Sequence, residues 1–224
     1  MTARADIQVA KRILSQLPTN WEGKRCVLEL KAANYNWKQM EWWAFYFELL
    51  CRQRLHGLFE IPGEAFTFTR SSGRKTLVKF DAKRSINWDF KAKAVKSNDH
   101  RAILNDQQAM NLALQEYGGH GLMIALCDVE YNDEKRAFQK WHEKLKGGKS
   151  EYEIARQQRT AVSRYRKTHA TLTEILFLVV KPTNVELLDL YHQGRNSDGT
   201  PRPPKYMLDL EKAGRLIADR LVFE

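Results

Sequence analysis

The chain has few cysteines and no long apolar segment. Its three cysteines, Cys26, Cys51 and Cys127, lie far apart and form no CxxC or Cys/His spacing, which argues against a disulfide framework and against a zinc site. No apolar stretch approaches the roughly 20 residues that a membrane helix needs, and no apolar signal segment follows Met1. We therefore expect a soluble, cytoplasmic protein with reduced, buried thiols, and neither a membrane partner nor an organic cofactor.

Acidic residues are also scarce relative to basic ones. The chain has 27 Asp and Glu against 37 Lys and Arg, which gives a formal net charge of +10 and a pI near 9.5. Such an excess favours a polyanionic partner, nucleic acid before an acidic membrane surface. Hydrophobic residues make up 43% of the 224 residues, which is enough for a sizeable core. Neither an internal repeat nor a composition typical of a linker divides the chain, so we expect one domain over residues 1–224.

Hydrophobic spacing and turn residues predict an α/β domain with a mixed sheet. Helices are predicted at residues 3–16, 37–56, from 105 to Gly118, from 133 to about 167, near 184–191, and at 208–221. Strands are predicted at residues 26–30, 64–70, 75–81, 86–93, 121–129 and 174–180. The runs at 121–129 and 174–180 are almost continuously apolar, which is typical of strands covered on both faces.

Two acids and a lysine stand close together in the middle of the chain. Asp81 ends one predicted strand, and Asp89 and Lys91 lie in the next. Side chains of a strand alternate between its two faces, so Asn87, Asp89, Lys91 and Lys93 share a polar face opposite bulky apolar residues. Two carboxylates beside each other repel unless a cation binds there.

The hard cation Mg²⁺ suits such a pair, because it takes oxygen ligands from one or two carboxylates and leaves positions for water and phosphate. Lys91 would then orient or help to deprotonate an attacking water and would stabilise the pentavalent phosphate. The sequence thus predicts a Mg²⁺-dependent phosphodiesterase, with Asp81 and Asp89 as the metal ligands. A strand face with charges that only keep the edge in solution is the alternative.

The pattern of Asp81 followed by Asp89-Phe90-Lys91 resembles the PD-(D/E)xK nuclease family, which includes most type II restriction endonucleases. This chain departs from the family pattern in having Phe80 where proline is usual and a short spacing between the acids. The resemblance implies a restriction-endonuclease-like core, with a mixed central sheet flanked by helices, in a prokaryotic protein. It also implies Mg²⁺-dependent cleavage of double-stranded DNA by a homodimer, which leaves a 5′-phosphate.

The family often adds an acid from the helix that precedes the sheet. Glu48 is the best candidate for this third acid, because it is surrounded by apolar residues in the helix predicted at 37–56 and a carboxylate there needs a partner. The catalytic core would then span about residues 37–130, and the DNA-recognition and helical elements about residues 131–224.

A second E-x-K pattern competes with the first. Glu29 and Lys31 belong to the strand predicted at 26–30, just before the long helix. Only Asp6 and Glu22 precede them as acids, and neither ends a convincing strand. We therefore expect Glu29 and Lys31 to lie on an outer strand or near the interface, while the alternative that they form the active site stays open.

Basic residues in the last third of the chain are candidates for DNA contact, because Arg and Lys bind phosphate and Arg also binds base edges. The candidates are Arg156, Arg159, Arg164, Arg166, Lys167, Arg195 and Arg202. A solvated surface helix at 156–167 and a plain connecting loop at 194–205 are the alternatives. His120 and His142 are predicted to be turn or surface histidines, because no second histidine stands at a metal-binding spacing.

Overall fold

The computed structural model describes residues 2–62, 66–69, 75–78, 80–95, 99–132, 135–149, 151, 154, 165–194 and 199–224, with the backbone alone at 66–69 and 75–78. The helices in these ranges are α1 Ala3–Leu14, α2 Gly23–Ala32, α3 Trp42–Leu55, α4 Gln107–Tyr117 and α5 Ala137–Leu145. The strands are β1 Asn20–Glu22, β2 Phe66–Thr69, β3 Lys75–Val78, β4 Ala82–Lys83, β5 Asn87–Ala94, β6 Arg101–Asp106, β7 His120–Tyr131, β8 Lys167–Val180, β9 Asp189–Tyr191, β10 Lys205–Asp209 and β11 Ile217–Val222.

A six-stranded mixed sheet forms the centre of the molecule. Its strands lie in the order β1-β8-β7-β5-β4, and β11 also pairs with β8. Strands β5 and β7 are parallel, because α4 connects them as a crossover, while β7 and β8 are antiparallel. Strands β6, β10 and β9 form a second sheet, and β2 and β3 form a hairpin. The predicted mixed α/β class is confirmed, and the central sheet takes strands from both ends of the chain.

Apolar side chains cover both faces of the central sheet. One face packs against α1, α2 and α3 through Trp88, Phe90 and Phe177. The other packs against α4, β6 and β10 through Leu122 and Ile124. Alternation along β5 therefore points Trp88 and Phe90 towards the helices, and it turns the odd-numbered residues of that strand towards the second layer.

Gly121 in β7 allows Trp88 to pack flat against the sheet. A Cβ atom at Gly121 would lie 2.2 Å from Trp88 Cε3 and 2.4 Å from its Cδ2, far inside van der Waals contact. Trp88 is fully buried and cannot swing away. The close approach fixes the distance between β5 and β7 at the place where Asp89 lies.

We predict that Gly121→Ala destabilises the protein by about 3 kcal/mol or more, because overpacking a rigid core forces its side chains and backbone to shift. Thermal unfolding of the purified variant measures the loss. The control is Gly214→Ala, where a new Cβ atom meets no atom within 4 Å. Equal melting temperatures for Gly121→Ala and Gly214→Ala would contradict the packing described.

Several predicted elements are confirmed. The helix predicted from residue 105 is α4, which Asp106 caps by accepting a hydrogen bond from the Ala109 amide at 3.1 Å, and which ends at Gly118 with φ +67°. The two buried strands are β7 and β8. The three cysteines are free and buried, and burial raises the pKa of the Cys26 thiol to about 12. Within the described ranges, the helices are all too short or too polar to cross a membrane.

Other predicted elements are wrong. Residues 26–30 belong to helix α2, because Glu22 accepts hydrogen bonds from the amides of Lys24 and Arg25 and so caps a helix start. Residues 208–221 are strands β10 and β11 around a short 3₁₀ turn, because both segments find open strand edges to pair with. Residues 184–191 form a 3₁₀ turn and β9 in place of a helix.

Two helical predictions hold only in part. The helix predicted at 37–56 begins later, at Trp42, because Asn34 and Asn36 have left-handed backbones that interrupt the helical path before it. Between residues 133 and 167 the described part contains α5, while β8 already begins at Lys167. Residues 155–164 of that prediction lie outside the described residues.

Candidate active site

The β4–β5 hairpin brings the two predicted metal ligands together. Ala82 is opposite Trp88 in the antiparallel register, and Asp81, the residue before β4, lies close enough to Asp89 for the charge of Asp89 to act on it. The Phe90 amide donates a hydrogen bond of 2.7 Å to Asp81 Oδ2, and the Asp81 amide donates to the Trp88 carbonyl at 3.1 Å. The short spacing between the acids is thus the spacing of a tight hairpin.

Asp6 of α1 anchors the turn of this hairpin. Its Oδ2 accepts hydrogen bonds from the Ser85 amide at 3.0 Å, from Ser85 Oγ at 2.6 Å and from Trp88 Nε1 at 3.0 Å. Asp6 is completely buried, so these bonds replace its contacts with water. The carboxylate holds the turn that sets Asp81 against Asp89, and it lies in a helix away from the polar face.

Asp89 is buried among polar neighbours from two other strands. His120, the first residue of β7, has its Nε2 atom 2.8 Å from Asp89 Oδ2. Asn105 of β6 donates a short hydrogen bond from Nδ2 to the same carboxylate oxygen. Both neighbours use Oδ2 and so orient the carboxylate, and a backbone hydrogen bond from Asp81 also holds it.

Asn87 is fully buried, yet its amide oxygen and nitrogen have no hydrogen-bond partner among the described residues. It precedes Asp89 on the same face of β5, and in the register it pairs with His120, whose Nδ1 atom is likewise unpartnered. Unpaired buried polar atoms are costly. The polar pocket beside Asp89 therefore has hydrogen-bonding capacity that a bound water or ligand would satisfy.

The two aspartates have opposite pKa shifts. Burial, and then the negative charge of Asp89, raise the pKa of Asp81 well above its usual range. Burial also opposes ionisation of Asp89, but the charges of Lys91 and His120 outweigh it and lower the pKa of that carboxyl. Asp89 is therefore the ionised member of the pair. Asp81 keeps its proton to higher pH and ionises readily when a cation is bound beside it.

Lys91 belongs to the same charge cluster. Burial favours its neutral form, but the negative charges of Asp89, Asp81 and Glu48 outweigh burial and raise the pKa of its ammonium. A lysine that stays protonated is a poor base. For Lys91, the charge cluster therefore favours orienting the water and stabilising the phosphate charge over deprotonating the water, the other role that the sequence suggested.

Glu48 of α3, the candidate third acid, lies near Asp81 and Lys91. Its charge contributes to the raised pKa values of both Asp81 and Lys91. Tyr35 donates a short hydrogen bond to Glu48 Oε1. Burial, and then the charge of Glu48, raise the pKa of that tyrosine, so Tyr35 remains a hydrogen-bond donor and orients the carboxylate.

These residues fit a magnesium ion by their chemistry. The neighbouring carboxylates of Asp81 and Asp89 would supply the hard oxygen ligands that Mg²⁺ uses together with water and phosphate. Burial and the charge of Asp89 raise the pKa of Asp81, and a bound cation would lower it. Among the described residues, no group of three or more Asp, Glu, His and Cys side chains is placed to hold a metal ion.

The competing E-x-K pattern has a different geometry. Glu29 and Lys31 lie on helix α2, where residues two apart point in different directions. Glu29 accepts a hydrogen bond from Tyr46 at 2.7 Å, while the Lys31 ammonium lies 5.0 Å from the centre of the Trp37 ring. The expectation that both residues lie on an outer strand is wrong, and their side chains do not meet.

If the Asp81–Asp89 site cleaves DNA, as the family resemblance implies, we predict that Glu29→Gln leaves that cleavage within about twofold of the wild type, because an amide can still accept the Tyr46 hydrogen bond. Plasmid cleavage in Mg²⁺ measures this. Glu48→Gln is the matched comparison, since it removes a charge from the neighbouring helix that faces the aspartates. Loss of activity in Glu29→Gln with full activity in Glu48→Gln would return the active site to α2.

The predicted DNA-contacting residues are only partly within the described chain. Arg156, Arg159, Arg164 and Arg195 lie outside the described residues. Arg166 is 4% exposed, which argues against a direct phosphate contact. Lys167 pairs with Glu41 at 2.8 Å, and Arg202 is exposed in the loop before β10.

Sequence reasoning missed the polar neighbours of Asp89. His120 was expected in a turn or on the surface, but it is the first residue of β7 and is 1% exposed. His142 is also buried, with its Nε2 atom 2.9 Å from the Trp37 carbonyl. The parallel pairing of β5 with β7 brings His120 to Asp89. One available signal was the position of His120 at the start of an apolar run that follows a helix stop.

Comparison with known proteins adds no relative: the chain matches no family model, no curated protein and no solved structure. The function has to be argued from the site itself.

Proposed function

We propose that this protein is a Mg²⁺-dependent endonuclease that hydrolyses phosphodiester bonds in double-stranded DNA, of the type II restriction class, with a restriction-endonuclease-like core. The observation that carries the proposal is the geometry of the β4–β5 hairpin, in which the Phe90 amide donates to Asp81 Oδ2 and the charge of Asp89 acts on Asp81. Lys91 follows on the same strand face and shares the charge cluster.

Each residue has a role in hydrolysis. Asp89 and Asp81 would hold the ion, with Glu48 as a third acid, and the ion would supply Lewis-acid stabilisation of the phosphate. Lys91 stabilises the charge that develops on the pentavalent phosphate and orients the attacking water. The water oxygen bonds to phosphorus as the bond to the 3′ oxygen breaks. The water gives up one proton and the 3′ oxygen takes one, so a 5′-phosphate and a 3′-hydroxyl result.

The charge of the whole chain supports a DNA substrate. The formal net charge of +10 favours association with a polyanion. A palindromic duplex target would require a two-fold homodimer, whose symmetry matches that of the site. We propose this assembly together with the restriction activity, and sedimentation of the protein with and without DNA measures it.

Supercoiled plasmid incubated with Mg²⁺ tests the proposal. Discrete fragments with 5′-phosphate ends support a site-specific endonuclease, and sequencing those ends gives the target and the cut position. Cleavage should stop in EDTA and resume when Mg²⁺ is added. Plasmid left intact by the wild type, at any Mg²⁺ concentration and over a range of plasmid sequences, would overturn the proposal in favour of a non-enzymatic nucleic-acid-binding protein.

A structure-specific DNA nuclease is the second candidate. It is favoured by a cleft beside Lys91 whose volume of about 630 Å³ suits a nucleotide better than a double helix. Slow nicking of the plasmid without discrete fragments would support this candidate over a restriction enzyme.

A further inference from the structure

A cleft opens next to Lys91, between α3 and the strands of the sheets. It has a volume of about 630 Å³, and its lining includes Trp43, Lys91, Arg101, Tyr131, Lys167 and Tyr191. These residues come from α3 and from strands β5, β6, β7, β8 and β9. The volume lies in the range of small-ligand pockets, about 300–1,000 Å³. A single nucleotide fits such a space, and a double helix does not.

Four cationic side chains line the cleft, together with two acids, Glu41 and Asp99. Lys93 pairs with Asp99 and Lys167 pairs with Glu41, each at 2.8 Å. The Lys91 ammonium lies among the charges of Asp89, Asp81 and Glu48, while Arg101 is exposed. Arg101 is therefore the cation of the cleft best placed to bind an anionic group of a ligand.

Aromatic rings stand among these charges. Tyr131 is 42% exposed and Tyr191 is 38% exposed. The Lys167 ammonium lies 5.0 Å from the Trp43 ring centre and 5.9 Å from the Tyr131 ring centre, which fixes this wall of the cleft. Partly exposed aromatic rings interleaved with cations are the surface on which proteins stack unpaired bases while holding the backbone.

We propose that this cleft binds one unpaired nucleotide of the DNA, next to the phosphodiester that is cleaved. The inference rests on the proposed DNA cleavage, which both candidate nucleases share, and it names the state of the substrate. The base stacks on Tyr131 or Tyr191, and its phosphate lies towards Arg101. A nucleotide turned out of a duplex and a nucleotide of a single strand would make the same contacts in the cleft. Binding of a bulged duplex and of a single-stranded oligonucleotide distinguishes these two sources.

Fluorescence anisotropy in Ca²⁺ tests the cleft with three labelled probes: a fully paired duplex, the same duplex with one unpaired thymidine, and oligothymidylate. We expect the wild type to bind the bulged duplex about tenfold or more tightly than the paired one. The Tyr131→Ala/Tyr191→Ala variant should lose that preference and bind oligothymidylate about tenfold less tightly. The Tyr131→Phe/Tyr191→Phe variant keeps the rings and should behave as the wild type.

Charge provides an independent measurement. Arg101→Ala should weaken binding of all three probes and reduce the slope of log affinity against log salt by about one, as expected for one lost phosphate contact. Lys212→Ala removes an exposed charge outside the cleft and should leave the slope unchanged. Melting temperatures of all variants confirm that they are folded.

Two results would overturn the inference. One is equal affinity of the wild type for the paired and bulged duplexes, combined with oligothymidylate binding that the alanine variant retains. The other is an equal loss of affinity for the bulged duplex in the phenylalanine and alanine variants.

If plasmid cleavage in Mg²⁺ persists in these cases, the assignment of the cleft is wrong but the proposed nuclease function stands. If the wild type prefers the bulge but cuts no plasmid, the nuclease function fails and the cleft stands. Tight binding of the bulged duplex without binding of oligothymidylate would indicate that the nucleotide in the cleft comes from a duplex.

Discussion

Lys91→Ala should abolish plasmid cleavage while DNA binding in Ca²⁺ survives. The ammonium of Lys91 lies among the charges of Asp89, Asp81 and Glu48, which raise its pKa and keep it positive. A fixed positive charge beside the phosphate stabilises the transition state more than the ground state. Removing one such group lowers the rate on the order of 10²–10³-fold. The rate of plasmid cleavage in Mg²⁺ measures the loss, and anisotropy with labelled duplex in Ca²⁺ measures binding.

The control for this substitution is Lys212→Ala, which removes a lysine whose side chain is 82% exposed. It should cleave plasmid at the wild-type rate. The melting temperature of Lys91→Ala separates lost chemistry from lost folding, because removing the cation leaves two repelling carboxylates behind. Cleavage by folded Lys91→Ala at more than a tenth of the wild-type rate would contradict the assignment of Lys91.

Sequence alone predicted the acids of the candidate site because their arrangement depends on local geometry. Alternation along β5 put Asp89 and Lys91 on one face, and the tight β4–β5 hairpin brought Asp81 close to Asp89. No local signal linked Asn105 or His120 to Asp89. Their contacts arise from pairing between strands distant along the chain, and tertiary packing sets that pairing.

The wrong elements have the same origin. Residues 208–221 contain spaced apolar residues that suit a helix, but β11 pairs with β8 and β10 pairs with β6. Whether such a segment forms a strand depends on the strand edges with which it can pair, because strand formation depends on neighbouring strands more than helix formation does. For residues 26–30 the error was the opposite one, because the predicted strand is a helix. Their apolar residues fit a strand, but the cap at Glu22 begins a helix there. The two apolar strands β7 and β8 were predictable because only a sheet core buries such runs on both faces.

Asp81→Asn should make the metal-free protein more stable at neutral and alkaline pH while it removes the nuclease activity. Burial and the charge of Asp89 raise the pKa of Asp81 well above its usual range. A carboxyl with a raised pKa in the folded state binds its proton more tightly there. Its stabilising contribution is complete below the pKa of the unfolded chain and is lost as the pH rises through the folded pKa. Asparagine has no proton to lose.

Thermal unfolding in EDTA measures this difference. The melting temperature of Asp81→Asn should exceed that of the wild type at about pH 8, and the gap should close near the ordinary aspartate pKa of about 4. Asp219→Asn is the control of opposite sign, because a hydrogen bond from Lys11 lowers the pKa of Asp219. That variant should lose stability at about pH 8, where the ionised carboxylate contributes most.

Magnesium should reverse the order of the two proteins. A ligand that binds only the folded state stabilises it by mass action, by about 2.7 kcal/mol at a hundredfold excess over its Kd. Mg²⁺ should therefore raise the melting temperature of the wild type and leave that of Asp81→Asn unchanged, and cleavage should fall by about 10²-fold or more. A variant less stable than the wild type in EDTA at pH 8 would contradict a strained, repelled carboxylate at Asp81. A variant that Mg²⁺ stabilises as strongly as the wild type would remove Asp81 from the metal ligands. Together, the melting temperatures in EDTA and in Mg²⁺ distinguish two roles for Asp81. In one role the carboxylate binds metal and destabilises the metal-free protein, and in the other it stabilises the fold.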